Sequence, residues 1–391
     1  MRPRPITDRV QWLGAIDWDR RLFDSLIPLP QGTSYNAYVV QGSEKTVLFD
    51  TVDPTMTEVL VRQLDQEPPI DLVVAHHVEQ DHSGSIPAVL ERYPAAKLIC
   101  SPKAKGMLID HLALAEDRVV TVEDGETVSL GNRTLRFIHT PWVHWPETMG
   151  TFLEEDRILF SCDFFGSHLA TSDLYGEWAR VHRPAKRYYA EIMMPFRKTI
   201  VRNLEKVRAL APAMICPSHG PVYRDPEPVI AAYEDWAGGE PKNVVVVPYI
   251  SMHGSTKLMV DHFVAALIDR GVGVEQFELS TVDLGELAMA LVDAATVVLG
   301  TPTVILGPHP HVVQATYLAS ALKPKFRWAS VIGSYGWGSK AVEHIGEALS
   351  GLKPEILEPV MCKGLPRAAD FEALERLADQ IAERHQGLVS A

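Results

Sequence analysis

Four cysteines occur in 391 residues, Cys100, Cys162, Cys216 and Cys362, and no two of them form a Cys-x-x-Cys pair. This excludes a zinc ribbon or a four-thiolate iron site within this chain. There is also no disulfide framework, which fits a reducing compartment, and all four are read as buried small hydrophobes. No run of about 18 apolar residues occurs, so no membrane-spanning helix is expected. The opening MRPRPITDRVQW lacks the apolar core of a secretory signal, and a cytoplasmic protein without a membrane partner is the expectation. Basic charge is in deficit: 37 Lys and Arg face 50 Asp and Glu, a formal charge of −13. Nucleic-acid phosphates demand a basic footprint, so no nucleic-acid partner is expected. GxGxxG and GxxxxGK[ST] are both missing, which removes the dinucleotide fingerprint and the P-loop. Internal repeats and low-complexity tracts are absent too.

What remains is a globular composition, 46% hydrophobic, long enough for two domains. Up to about residue 237, short β-like runs alternate with loops rich in His, Asp and Pro. The runs are Val10–Trp18, Tyr35–Gln41, Thr46–Thr51, Leu72–His76, Thr134–His139 and Ile158–Ser161, with a helix expected over Ala185–Ala209. Gly238-Gly239-Glu240-Pro241-Lys242-Asn243 then gathers turn formers and charge just before an apolar run, which places a boundary between domains over 1–240 and 243–391. Beyond it the texture becomes α/β. Val244–Val247, Val274–Leu279, Thr296–Leu299, Ala329–Ile332 and Glu355–Val360 read as strands. A helix is expected from near Thr256 and another over Phe371–Glu383. Roughly 150 residues with five strands suit a doubly wound parallel sheet.

The strongest chemical signal is His77-Val78-Glu79-Gln80-Asp81-His82, after the apolar strand Asp71–Ala75. In an extended segment alternate side chains share a side, so His77, Glu79 and Asp81 are expected to converge, with His82 turning in as a helix begins after Ser83. The competing structural reading is a polar loop in which Asp81 or Ser83 caps that helix. Three later residues add weight. His144 lies in Trp142-Val143-His144-Trp145-Pro146-Glu147-Thr148, Asp163 ends the apolar run around Phe160, and His219 follows Ala213–Ile215. A bare carboxylate at the end of an apolar strand is costly unless compensated. Each alone can be structural; together, at strand ends, they point to one site at one sheet edge.

In the second half, Ser251-Met252-His253-Gly254-Ser255-Thr256 follows a strand and opens a helix. Hydroxyls, a permissive glycine and free helix-start N–H groups bind a phosphate without a lysine; an ordinary capped helix is the alternative. Thr301-Pro302-Thr303-Val304 and Ser334-Tyr335-Gly336-Trp337-Gly338 end two further strands at the same expected edge. An aromatic among small residues there suits a flat ring in a shallow groove.

The order HxHxDH, later His, Asp, last His marks the metallo-β-lactamase superfamily, and this chain resembles it with Glu79 in place of the second His. HxExDH resembles the flavodiiron proteins within that superfamily. The three C-terminal loops resemble flavodoxin, whose ligand is FMN; Val304, Ile305, Leu306 and His253 depart from the Asn and aromatic residues common there. The resemblance spans the whole chain. It implies an α/β protein, a metallo-β-lactamase-like αββα sandwich followed by a flavodoxin-like doubly wound parallel sheet. One metal would take His77, Glu79 and His144, the other Asp81, His82 and His219, with Asp163 bridging. Glu79, Asp81 and Asp163 bring three negative charges, so two divalent ions and one hydroxide balance, and the hard carboxylate favours iron.

The implied activity is reduction of O2 to water, of NO to N2O, or of both, at two bridged Fe ions fed by FMN. His168 is a candidate donor beside the metal ligands. The resemblance further implies an external electron donor, rubredoxin or a reduced flavin or deazaflavin system, and a head-to-tail homodimer or dimer of dimers. Two rivals are a dinuclear zinc hydrolase of thioesters or lactams with an appended flavodoxin domain, and an electron carrier with a vestigial metal site.

Overall fold

The computed structural model describes residues 1–390. Contacts divide the chain into two compact units, Met1–Gly238 and the segment from Gly239 onward.

In the first unit, strand Thr33–Gln41 shows how sequence builds layers. Side chains alternate across a strand. Tyr35, Ala37 and Val39 share one core with Leu60 and Leu64 of helix Thr57–Leu64 and Val89 and Leu90 of helix Ile86–Arg92. Tyr38 and Val40 share another with Phe137, Leu153 and Phe160 of a second sheet. The first sheet runs Arg4–Pro5, Val10–Asp17, Thr33–Gln41, Thr46–Phe49, Leu72–Val74, Lys97–Cys100 and Val119–Thr121 in spatial order. The second runs Thr127–Ser129, Thr134–His139, Met149–Leu153, Ile158–Cys162 and Met214–Pro217. Helices Trp178–Tyr188, Arg197–Leu210 and Glu227–Gly238 complete the αββα arrangement.

Two expectations needed correction here. The single helix over Ala185–Ala209 is interrupted: a π turn covers Tyr189–Met193 and a 3-10 turn Met194–Phe196 before Arg197–Leu210 resumes. Pro195 sits in the 3-10 turn, where its missing N–H and its ring interrupt the hydrogen-bond ladder. The expected strand Glu355–Val360 splits into Glu355–Ile356 and Val360–Lys363, with Pro359 between them unable to donate to a ladder.

The second unit is built on a parallel sheet in the order Gly273–Glu278, Lys242–Tyr249, Ala294–Val304, Trp328–Tyr335, with Val360–Lys363 pairing the last and the short strand Gly307–Pro308 pairing antiparallel with the end of Ala294–Val304. Met259, Phe263 and Leu267 of helix Ser255–Asp269 and Leu374, Leu377 and Ile381 of helix Ala368–Arg384 cover one face. This 2-1-3-4-5 order is the flavodoxin-like winding, and its direction reverses between Lys242–Tyr249 and Ala294–Val304. Among the described residues no helix is long and apolar enough to cross a membrane.

Candidate metal centre

Strand ends deliver the site. Leu72–Val74 leads to His77, Ile158–Cys162 to Asp163, and Met214–Pro217 to His219, while His144 comes from the loop joining Thr134–His139 to Met149–Leu153. The expected extended run through Asp81 is not found. Glu79 is the last extended residue, and Gln80–Ser83 forms one helical turn, so Asp81 and His82 reach the site from a helix. That turn rotates the two neighbours toward a common point, which strict alternation would not allow.

All seven side chains named from the sequence come together. His77 Nε2 lies 3.1 Å from Glu79 Oε2 and 3.6 Å from Asp163 Oδ2. His144 Nε2 lies 3.1 Å from Glu79 Oε2 and 3.3 Å from Asp163 Oδ2. On the other side, His82 Nε2 is 3.1 Å from Asp163 Oδ1 and 3.4 Å from Asp81 Oδ1. His219 Nε2 is 3.1 Å from Asp81 Oδ2 and 3.4 Å from Asp163 Oδ1. The two oxygens of Asp163 thus face two separate triads.

Donors about 2.1 Å from a common ion, at tetrahedral or octahedral angles, stand roughly 3.0–3.4 Å apart. Seven of the eight spacings fall in this range, and the eighth, His77 to Asp163, is 3.6 Å. Hydrogen bonding accounts for only part of them: His77 Nε2 and Glu79 Oε2 form one, but both Asp81 oxygens, both His82 ring nitrogens and Asp163 Oδ1 are buried without a hydrogen-bond partner. Lone pairs this close, buried and unsatisfied, fit a pair of cations.

The electrostatics agree. Burial opposes charge on His77, yet Glu147, Glu79 and Asp163 overcome it and hold its imidazolium well above the ordinary range. Burial likewise opposes charge on His219, but Asp163 and Asp81 raise it to about 10. Burial works against Asp163 too, and His82, His144 and His219 hold its carboxyl well below the usual value. Without metal, protons on the imidazoles stand in for cations.

Several residues at the site were not singled out by sequence reasoning. Glu147 Oε1 accepts from His77 Nδ1 at 2.7 Å and from the Val78 N–H at 3.1 Å, so it fixes that ring and its tautomer. It is the one acidic residue in the His144 loop, which was its available signal. The Ser34 carbonyl accepts from His219 Nδ1 at 2.7 Å; a backbone acceptor leaves no side-chain signal. Gly220, next to His219, has φ +79, and a Cβ there would lie 2.0 Å from Ser167 Oγ. Tyr188 hydrogen-bonds Asp163, and burial followed by that carboxylate raises its phenol well above the ordinary range. Asp24 hydrogen-bonds Glu79; burial, then the charges of Glu79 and Asp81, raise its carboxyl. Cys162 also lies within reach of His82 and Asp163, but burial keeps its thiol protonated.

A cavity of ≈ 160 Å³ opens beside the triads, lined by Phe23, Ile27, Ile192, Tyr188 and His168 together with the facing acidic and His side chains. His168 Nδ1 meets Thr33 Oγ1 at 2.9 Å, and burial followed by His219 holds its pKa well below the usual value. A larger groove of ≈ 660 Å³ runs along Pro3–Pro5, Leu169 and Tyr175. Its Arg180 and Asp173 pair with each other at 2.7 Å, and it brings no such cluster together.

In the second unit a cavity of ≈ 330 Å³ lies at the carboxyl ends of the strands, at the winding reversal. Ser251, Met252, His253, Ser255, Thr256, Pro302, Thr303, Ser334, Tyr335 and Gly336 line it, joined by Gly364 and Leu365, which sequence reasoning did not single out. Ser251 Oγ accepts the Gly254 and Lys257 N–H groups at 3.2 Å each, so it caps the helix while keeping its own proton to donate. Gly254 takes φ +92 with open space where a Cβ would stand. Five of the expected contacts do not line the cavity. Thr301 is fully buried, its hydroxyl bonded to the Pro302 carbonyl at 2.8 Å. Trp337 is 82% exposed, and Gly254, Val304 and Gly338 stand outside the lining. Hydroxyls and open helix-start backbone around this groove fit a phosphate-bearing flat ring.

Comparison with known proteins agrees with this geometry. The family model described as ODP family beta lactamase matches residues 33–220. A nitric oxide reductase of Moorella thermoacetica is 35% identical, over 98% of this chain and 99% of that protein. The structure of rubredoxin oxygen:oxidoreductase from Desulfovibrio gigas superimposes with a TM-score of 0.95 at 31% identity, covering 98% of this chain and 99% of the other. The flavodiiron protein from Giardia intestinalis gives a TM-score of 0.93 at 26% identity, over 99% and 97% of the two chains. Full-length identity above 30%, two triads facing the two oxygens of one Asp and a cavity at the flavodoxin-like switch point lead to one conclusion: this chain belongs to the flavodiiron protein family.

Proposed function

We propose that this chain reduces dioxygen, nitric oxide or both at two irons, with electrons relayed through FMN. The observation that carries the reading is Asp163, whose two oxygens each face one triad. When bound, an iron pair supplies two electrons and polarises a diatomic, and FMN supplies two more, together the four that convert O2 to two waters. His77, Glu79 and His144 would hold one iron and Asp81, His82 and His219 the other. Glu147 and the Ser34 carbonyl fix two of the rings through their far nitrogens. Three donors and one shared carboxylate oxygen per ion leave positions open toward the ≈ 160 Å³ cavity. Phe23, Ile27 and Ile192 give that cavity apolar walls, which admit a small neutral molecule and limit water.

Ser251, Ser255, Thr256, Thr303 and Ser334 would hold FMN through hydroxyls and helix-start N–H groups. Electrons come from a separate donor, rubredoxin or a reduced flavin or deazaflavin system, because the four cysteines here form no rubredoxin-type site. The reading includes a head-to-tail homodimer, in which the flavin of one chain serves the iron pair of its partner, and domains divided near residues 240–243.

The zinc-hydrolase alternative is disfavoured by Glu79 and by cavity size. Pockets for drug-sized ligands span roughly 300–1,000 Å³, well above ≈ 160 Å³. Anaerobically reduced, iron- and FMN-loaded protein is to be given O2, NO and a thioester separately. Consumption of either gas supports the proposal. Thioester cleavage with neither gas consumed overturns it.

A further inference from the structure

Beside the converging side chains, four other polar or ionisable side chains line the cavity: Asp24, His168, Tyr188 and Glu191. Asp24 bonds Glu79, Tyr188 bonds Asp163, and Glu191 pairs with Arg187 Nε at 3.1 Å. His168 differs. It is 7% exposed, it borders the cavity, and its Nε2 has no hydrogen-bond partner. Such an atom in a native interior calls for an explanation.

The ring is held on three sides. Its centroid lies 4.9 Å from those of His219 and Tyr188 and 5.5 Å from that of Phe23. Its tautomer follows from Thr33. The Ser34 carbonyl is already engaged by His219 Nδ1 at 2.7 Å and lies 3.3 Å from Thr33 Oγ1. With the Thr33 hydroxyl donating along the shorter of its two contacts, 2.9 Å to His168 Nδ1, the ring proton sits on Nε2. Consecutive residues of one strand thus orient two imidazoles: Ser34 sets His219, and Thr33 sets His168.

We propose that His168 Nε2–H is a hydrogen-bond donor to the substrate, holding one end of a small diatomic or small anion on the Asp81–His82–His219 side of the cavity. This rests on the function proposed above and adds a specificity-determining residue to it. A donor on one side only makes binding asymmetric and favours ligands that carry partial negative charge on the atom facing it.

The test uses iron-loaded protein and azide as the probe, titrated by visible absorbance, with iron content and the azide asymmetric stretch measured in parallel. His168→Leu should weaken azide about tenfold, equivalent to about 1.4 kcal/mol, and shift the azide band. His168→Gln, which keeps an N–H donor, should stay within about threefold of native. Both variants should hold two irons per chain. Native-like affinity in His168→Leu overturns the inference, as does equal weakening in both variants with iron intact, since that marks a packing role. Native protein that takes up no iron pair overturns the proposed function and this inference with it, and iron analysis separates that outcome from the others.

Discussion

Glu147→Gln isolates the contribution of a residue that touches no metal. One buried carboxylate oxygen accepts from His77 Nδ1 at 2.7 Å and Val78 N–H at 3.1 Å. The amide oxygen of Gln can occupy the same place, so shape is kept and charge is lost. Hydrogen bonds to charged groups contribute about 1.5–3 kcal/mol and neutral ones about 0.5–1.5. Two such bonds lose about 2 kcal/mol together, a roughly 30-fold weaker hold on the ion at His77. This lies inside the 10- to 100-fold range typical of groups that orient metal ligands. The assay is anaerobic competition between ferrous protein and a chelator, read as irons retained per chain. One iron should leave at roughly 30-fold lower chelator concentration while the other stays. Asp50→Asn is the control, because Asp50 bonds His76 at 2.7 Å, a residue outside the two triads; it should lower the melting temperature and leave iron affinity unchanged. Native iron retention in Glu147→Gln, or equal loss in the control, refutes the reasoning.

Removing the bridge should be more severe. Asp163→Ala deletes the oxygen shared by each triad, and iron per chain should fall from two to below one by elemental analysis; two retained irons would contradict the bridging role. Gly220→Ala adds a Cβ 2.0 Å from Ser167 Oγ at φ +79. It should cost about 2–4 kcal/mol in denaturant unfolding, and an unchanged midpoint would contradict the packing described. His385 gives a pH prediction for the flavodoxin-like unit. Burial pushes its pKa from 6.5 down to about 4. Its neutral ring bonds Asn243 Oδ1 at 2.9 Å and Thr296 Oγ1 at 2.8 Å. The folded pKa is the lower one, so the stabilisation is whole above pH 6.5 and is lost as pH falls toward 4. His385→Asn should flatten the melting temperature over that interval; an unaltered slope would contradict the assignment.

Much of the site was readable because its residues announce themselves by type. Imidazoles and carboxylates ending apolar strands are expensive, and His77, Asp163 and His219 stand out on that ground alone. The local path was less readable. Alternation placed Asp81 correctly at the site by the wrong geometry, since the chain turns helical at Gln80. Supporting groups were least readable. A single acidic residue in a loop, as Glu147 is, carries little signal, and the Ser34 carbonyl carries no residue identity at all. In the second unit the strand-loop-helix pattern located the cavity, but the side-chain direction of Thr301 and the exposure of Trp337 depend on packing that periodicity does not encode. The split of the Ala185–Ala209 helix follows from Pro195, whose effect on a helix is legible from residue type alone.

The most direct measurement is diffraction from crystals of the iron-loaded protein at energies on either side of the iron absorption edge. The account predicts two anomalous peaks about 3.5–4 Å apart, one beside His77, Glu79 and His144, the other beside Asp81, His82 and His219, with an Asp163 oxygen on each. A single peak, or peaks away from these side chains, would contradict it.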